Sequence, residues 1–225
     1  LFYNLLSCKT IADEDGARMS TEQQSSVLPE TIYENLRSSI IAQDVAPGGV
    51  VTESTVALRF GVARQTAKVA IERLVAEGLL RREAHKTARV PELTADDIAD
   101  LYESRSVVES AAVARLDGIP AHALAAHRAL LESGADFAQQ DIAFHRALVA
   151  GQSSVRLARM HALIMGEVEL CIGQVQAARL LSATDVAQQH QGILDAVLAG
   201  DHDRAAQLTR EHVASARDAL LAHRS

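Results

Sequence analysis

The chain is short of the residues that staple or span. Cysteine occurs only at Cys8 and Cys171, which excludes a disulfide framework. Aromatic side chains make up 3% of the chain and tryptophan is absent, while alanine is frequent, so a core has to come from helices packed closely together. Proline appears four times, at Pro29, Pro47, Pro91 and Pro120, in each case between periodic stretches rather than inside one. No apolar run reaches the length of a membrane span, and a cytoplasmic location without membrane partners is expected. Basic charge is also in the minority, with 22 Lys and Arg against 29 Asp and Glu and a net charge of -7. The composition, 48% hydrophobic and 23% charged over 225 residues, suits one or two soluble domains.

What the chain does have is periodicity. From Thr52 to Val90, apolar residues recur at helical spacing at Val56 and Ala57, break at Gly61, and resume at Val69, Ala70, Leu74 and Val75. This predicts two short helices about a glycine turn. The second helix opens on Arg64, Gln65, Thr66 and Lys68, with Val62, Val69 and Ala70 expected to face inward; such a polar start is the shape that enters a major groove. Leu79 and Leu80 begin an apolar strand, and Arg81, Arg82, His85, Lys86 and Arg89 surround the expected hairpin, a wing over phosphates or a minor groove. The competing reading is a small helical domain with an ordinary charged surface, since Leu28 to Glu92 holds nine Lys or Arg against eight Asp or Glu. Most of the acid lies further on, where it would keep a DNA reader from binding polyanions indiscriminately.

In chain order, residues 1–27 are set aside as a leader, Leu1 to Arg18 being expected to come from a vector or from translation upstream of a start at Met19. Residues 28–92 form the expected reader. Ile32, Leu36 and Ile40 predict an amphipathic helix closing at Pro47-Gly48, and Val90-Pro91 ends the wing. Thr94 to Asp97 has capping-box spacing and opens a second domain, residues 93–225. Helices are expected at Ala95 to Arg115, Ala121 to Ser133, Ala135 to Ala150, Val155 to Arg179, Thr184 to Ala199 and Asp201 to Ala222. The fold class is therefore mainly α, a winged helix-turn-helix followed by an all-helical bundle of about six helices.

Eight of the nine histidines follow Glu92. Asp141 and His145 are one helical turn apart, Phe144 and Leu148 mark the inward side of their helix, and His190 and His212 are flanked by apolar residues in the last two. One carboxylate and three imidazoles converging inside a bundle suit a divalent cation of borderline softness. Taken singly, each histidine is more readily a surface or hydrogen-bonded core residue than a ligand. His122, His127, His161, His202 and His223 read as surface or connector residues.

Residues Ile32-Tyr33-Glu34 to Arg37, Ile40, Pro47-Gly48, Thr52-Glu53, Gly61-Val62, Arg64 to Ile71 and Leu74 to Leu80 together resemble the winged helix-turn-helix of the GntR family of bacterial transcription regulators. Ala63, Gln65 and Thr66 depart from the usual start of its recognition helix, and Thr87 stands where the wing has glycine. The second region resembles the ligand-sensing helical domain of the FadR-type branch, in its shorter VanR-like form. There, Asp141 to His145, His190 leading to Gly200-Asp201, and His212 match the metal-binding pattern, while Gly151-Gln152-Ser153 departs from a Ser-Gly-Asn sequence.

The resemblance implies a homodimeric regulator, expected to be a repressor, that reads a palindromic double-stranded operator. Arg64 is the base-edge candidate, with Arg59, Gln65, Thr66, Lys68, Arg82 and Lys86 beside it. Asp141, His145, His190 and His212 would hold Zn or Ni, with Mn or Fe as alternatives, and Arg105 would pair with the carboxylate of a small organic acid effector, unless it pairs with Glu109 one turn on. The alternative is a metal-dependent enzyme acting on small carboxylates, with Glu109, Glu167 or Glu169 as general base.

Overall fold

A computed structural model describes residues 29–83, 86–133 and 137–224. The leader, His85 of the wing, Gly134 and the expected helix start at Ala135 lie outside them. The first helix, α1 (29–41), opens on Pro29, whose fixed φ suits a first turn. β1 (Val50–Val51), α2 (Glu53–Phe60), α3 (Arg64–Ala76) and β2 (Ala88–Arg89) follow. Thr52 and Thr55 form a capping box at the start of α2, and Gly61, at φ 66, ends it by donating its N–H to Ala57; a β-carbon is disfavoured in that left-handed conformation. The strands pair antiparallel, Val50 opposite Arg89 and Val51 opposite Ala88, and Arg81 bridges Arg89. The strand expected from Leu79 shrinks to that bridge because Leu79 and Leu80 turn into the core.

One inward assignment needs correction. Val69 is exposed, and the buried stripe of α3 is Ala67, Ala70, Ile71 and Leu74. These positions follow helical spacing, and residue 69 falls off that face.

Among the described residues six helices follow: α4 (Ala95–Val113), α5 (Ala121–Glu132), α6 (Ala138–Ala150), α7 (Val155–Ala177), α8 (Ala183–Leu198) and α9 (His202–Arg224). The expected capping box opens α4, with Thr94 accepting from Asp97 N and Asp97 accepting from Thr94 N. α4 lies against α9 and α7, α6 against α5 and α7, and α8 against α9 and α5. Among the described residues no helix is long and apolar enough to cross a membrane.

Among the described residues two apolar clusters fill the interior. One joins the helix-turn-helix, through Ile32, Ile40, Ile71 and Leu80, to the near end of the bundle at Tyr102, Cys171 and Leu220. The other, around Val113, Phe144, Leu148, Ile193 and Val197, fills the far end. Contact between the reader and the bundle is close because α7 presents glycines to it. A β-carbon on Gly166 would lie 1.8 Å from the Glu77 carbonyl oxygen, and one on Gly173 2.0 Å from that of Ile41.

Candidate metal centre

The polar layer between the two clusters consists of the side chains singled out by spacing. On α6, Asp141 and His145 sit between Ile142 of one cluster and Phe144 of the other. His190 on α8 and His212 on α9 occupy the same level, and all four are buried. One donor atom from each lies within 4.8 Å of all the others. His190 Nε2 is 3.1 Å, His145 Nε2 3.6 Å and His212 Nε2 4.0 Å from Asp141 Oδ1, and the His145 and His212 Nε2 atoms are 3.0 Å apart. These separations bracket the roughly 3.4 Å edge of a tetrahedron with 2.1 Å bonds.

Neighbouring groups set which nitrogen bears the proton. His145 Nδ1 lies 2.8 Å from Glu109 Oε2, and His212 Nδ1 lies 2.7 Å from Gln189 Oε1. Gln189 places the hydrogen of His212 on Nδ1, and the Glu109 carboxylate, an ion-pair neighbour of His145 Nδ1, favours a hydrogen there too, so both Nε2 lone pairs face the centre. Two such lone pairs at 3.0 Å, beside a carboxylate oxygen and an Nε2 of His190 that are buried without hydrogen-bond partners, repel one another unless a cation lies between them. The donor set, three imidazoles and one carboxylate, suits a divalent ion of borderline softness. The residues therefore fit a metal.

The electrostatics agree. Burial opposes ionisation of Asp141, but His145 and His190 outweigh it and hold the carboxyl well below the usual carboxylate range. Glu109 is likewise held low against burial by Arg105 and His145. Burial pushes His190 down to about 4 and lowers His212, favouring neutral imidazoles that can ligate. His145 is raised, because Glu109 and Asp141 outweigh burial; a proton there competes with a metal.

Spacing missed Glu109 as the organiser of this layer. It accepts from Arg105 Nε at 2.9 Å, touches His161 Nε2 at 3.1 Å and holds His145 from its other oxygen. The signal available was the Arg105 and Glu109 pair one turn apart. Two histidines expected at the surface are also buried. His161 reaches Glu109, and His127 packs near the rings of Phe144 and His190 with its Nε2 against Gln191. Alanine-rich stretches around both hid their inward faces. Arg105 itself is fully buried and keeps Nη2 without an acceptor. It lines a small cavity of about 10 Å³ with Asp141 and His212.

At the other end, Ala63 precedes α3 and makes no capping hydrogen bond from its side chain, and no acid stands in the first turn of the helix. Arg64 and Gln65 are exposed and Thr66 and Lys68 half-exposed there, Lys68 lying 3.6 Å from Glu72. An uncapped helix start beside an arginine favours an anion. Arg59 is partly tied down by Ser39 at 3.1 Å, Arg82 is half-buried, and Lys86 pairs with Glu83.

Comparison with known proteins gives matches over both parts. Residues 28–90 match "Bacterial regulatory proteins, gntR family", and residues 100–215 match the FCD domain. The chain is 30% identical over 186 residues, 78% of its length and 81% of the relative's, to the protein named "Probable D-xylose utilization operon transcriptional repressor" of Paenarthrobacter nicotinovorans. It is 27% identical over 199 residues, 80% of its length and 90% of the relative's, to the HTH-type transcriptional repressor GlaR of Escherichia coli strain K12. A solved GntR regulator structure from Rhodococcus sp. RHA1 matches with a TM-score of 0.71 at 26% identity, covering 86% of this chain and 97% of that one. These relatives are regulators, not enzymes. The three carboxylates considered as general bases are committed elsewhere: Glu109 as above, Glu167 to Arg81, and Glu169 to Arg37 and Arg146.

Proposed function

The chain belongs to the gntR family of bacterial regulatory proteins, and from that premise we propose that it is a cytoplasmic, homodimeric repressor. Its grip on a palindromic operator changes when a small organic acid binds beside a divalent metal. Asp141, His145, His190 and His212 would hold the ion, Zn or Ni by donor chemistry, which would offer a Lewis-acid site to one carboxylate oxygen. Arg105 carries the reading. Its Nη2 is buried without an acceptor in a cavity shared with Asp141 and His212, where a carboxylate would complete it.

A route from that site to the reader runs through charged side chains. Arg146 follows His145 on α6 and donates to Glu169 from Nε at 2.7 Å, and the other oxygen of Glu169 accepts from Arg37 of α1 at 2.5 Å. A displacement of α6 on ligand binding bears through this buried carboxylate on α1, and so on how α3 is presented. Two sites biasing one arrangement is allostery. On DNA, Arg64 reads a base edge with Gln65 and Thr66 beside it, and Arg59, Lys68, Arg82 and Lys86 contact mainly the backbone.

Dimerisation would use the outer face of α4 and α7. The contact of His161 with Glu109 and the proximity of Cys171 to Tyr102 make the two helices antiparallel, which sets Val107, 62% exposed, level with Leu163, 82% exposed, near Met160 and Val155. Large apolar side chains exposed on two paired helices are what an interface would cover.

The test is operator binding by the metal-loaded full chain at fixed salt, measured across a panel of organic acids. One acid should change the affinity many-fold, and Arg105→Ala should abolish that change while operator binding persists. If no acid alters the affinity, the sensor reading is wrong.

A further inference from the structure

The internal cavity has one polar side. Arg105, Asp141 and His212 face its other wall, which is made of Phe137, Ile172, Val175, Leu181, Val186 and Ala216. Its volume of about 10 Å³ holds roughly one water, whereas a cavity of about 150 Å³ accommodates benzene. Just outside lies a solvent-open pocket of about 780 Å³ between the end of α5, the end of α7 and the start of α8. Leu130, Leu131 and Ala187 give it apolar walls, while Arg179, Gln176, Thr184 and Gln188 are among the polar residues at its rim. Phe137 and Leu181 line both spaces, so these two side chains form the partition between them.

Neither partition residue sits within a regular helix. Phe137 precedes the first turn of α6. Leu181 lies in the link from α7 to α8, two residues beyond Arg179, whose φ of 53 turns the chain out of α7. Rotating both side chains breaks no helical hydrogen bond and joins the inner space to the outer one.

We propose that the effector is a monocarboxylate with a compact apolar body, aromatic or aliphatic, and that it reaches Arg105 through the outer pocket by displacing Phe137 and Leu181. This rests on the sensor reading above and narrows it. The inner cavity offers one guanidinium nitrogen lacking an acceptor, enough for one carboxylate head. The inner cavity admits only that head, so the body lies in the outer pocket against Phe137, Leu181, Leu130, Leu131 and Ala187, where polar substituents would give up water to apolar walls. A fully apolar pocket rejects one added hydroxyl by only about a hundred-fold, and the several hydroxyls of a sugar acid add to that.

Calorimetric titration of the metal-loaded full chain, without DNA, compares benzoate, phenylacetate, 3-methylbutanoate and hexanoate with D-gluconate, D-xylonate, succinate and malate. At least one of the first four should bind a hundred-fold or more tighter than any of the second four. Leu181→Ala should speed association of that acid in stopped flow, and Leu181→Trp should slow it. Tighter binding of a hydroxylated or dicarboxylic acid overturns the proposed class and leaves the sensor reading intact. Binding by none of the eight, in protein that still binds its operator, overturns the proposal and counts against the sensor reading itself. Association rates that ignore both Leu181 variants, each folded by circular dichroism, overturn the route.

Discussion

At the residue scale, the centre depends on donors whose protons are placed by neighbours outside it. Asp141→Asn removes the charged ligand and should drop bound metal, read by elemental analysis of purified protein, from about one equivalent to a small fraction. Glu109→Gln keeps all four ligands but weakens the acceptor that fixes the His145 tautomer, so metal affinity should fall about 10- to 100-fold. If Glu109→Gln binds metal as tightly as the parent, Glu109 does not organise the layer. Cys171 gives a separate residue-scale test. Burial pushes its thiol from 9.0 up to about 12, so the unfolded chain loses that proton before the folded chain does. The raised folded value means that this contribution to stability is intact below pH 9 and is lost as pH rises through about 12, at about 1.4 kcal/mol per pH unit. Denaturant melts between pH 8.5 and 10 should show that decline, and Cys171→Ala should flatten it. Tyr33, raised to about 12 by burial and Glu77, adds a decline of the same sign only above pH 10.

At the element scale, α7 carries two glycines for different reasons from an ordinary helix glycine. Gly173→Ala puts a methyl 2.0 Å from the Ile41 carbonyl oxygen, where backbone has to move. It should destabilise the chain by about 1–3 kcal/mol or loosen the reader from the bundle. Gly192 on α8 is the control, since a β-carbon there meets only Leu208 at 3.7 Å. Gly192→Ala should be neutral or stabilise by about 0.5–1 kcal/mol through helix propensity. Thermal melts of the two variants decide the point, and equal effects would show that the close approach of α7 to the reader is not a constraint.

The contact between parts shapes the expectations for the whole molecule. Glu169→Gln leaves Arg37 and Arg146 without their shared carboxylate. It should cost about 1–3 kcal/mol and, more tellingly, reduce the effect of ligand on operator affinity while ligand binding itself is kept. A variant that retains full ligand response shows that coupling runs elsewhere. Leu163→Glu places a charge in the exposed apolar patch on α4 and α7. By light scattering the variant should run as a monomer and lose most operator affinity; a dimer at micromolar concentration would place the interface on another face.

Some of this is legible without any structure, because it depends on local chemistry. The turn at Gly61, the capping box at Thr94, and the helices after Thr94 follow from periodicity, caps and breaks that act within a few residues. Asp141 and His145 could be placed on one face because a helix fixes residues four apart. The amino-acid sequence alone thus determined the class of fold, the reader and the four candidate ligands. What tertiary structure decided concerns residues far apart in the chain. It put Val69 outside, buried His127 and His161, and set Glu109 between Arg105, His161 and His145. It also seated the reader against Gly166 and Gly173, and divided the apolar space behind Arg105 with Phe137 and Leu181. Each of these depends on which helix faces are brought together, and alanine-rich helices offer many nearly equivalent faces. Only the packing of the whole chain selects among them.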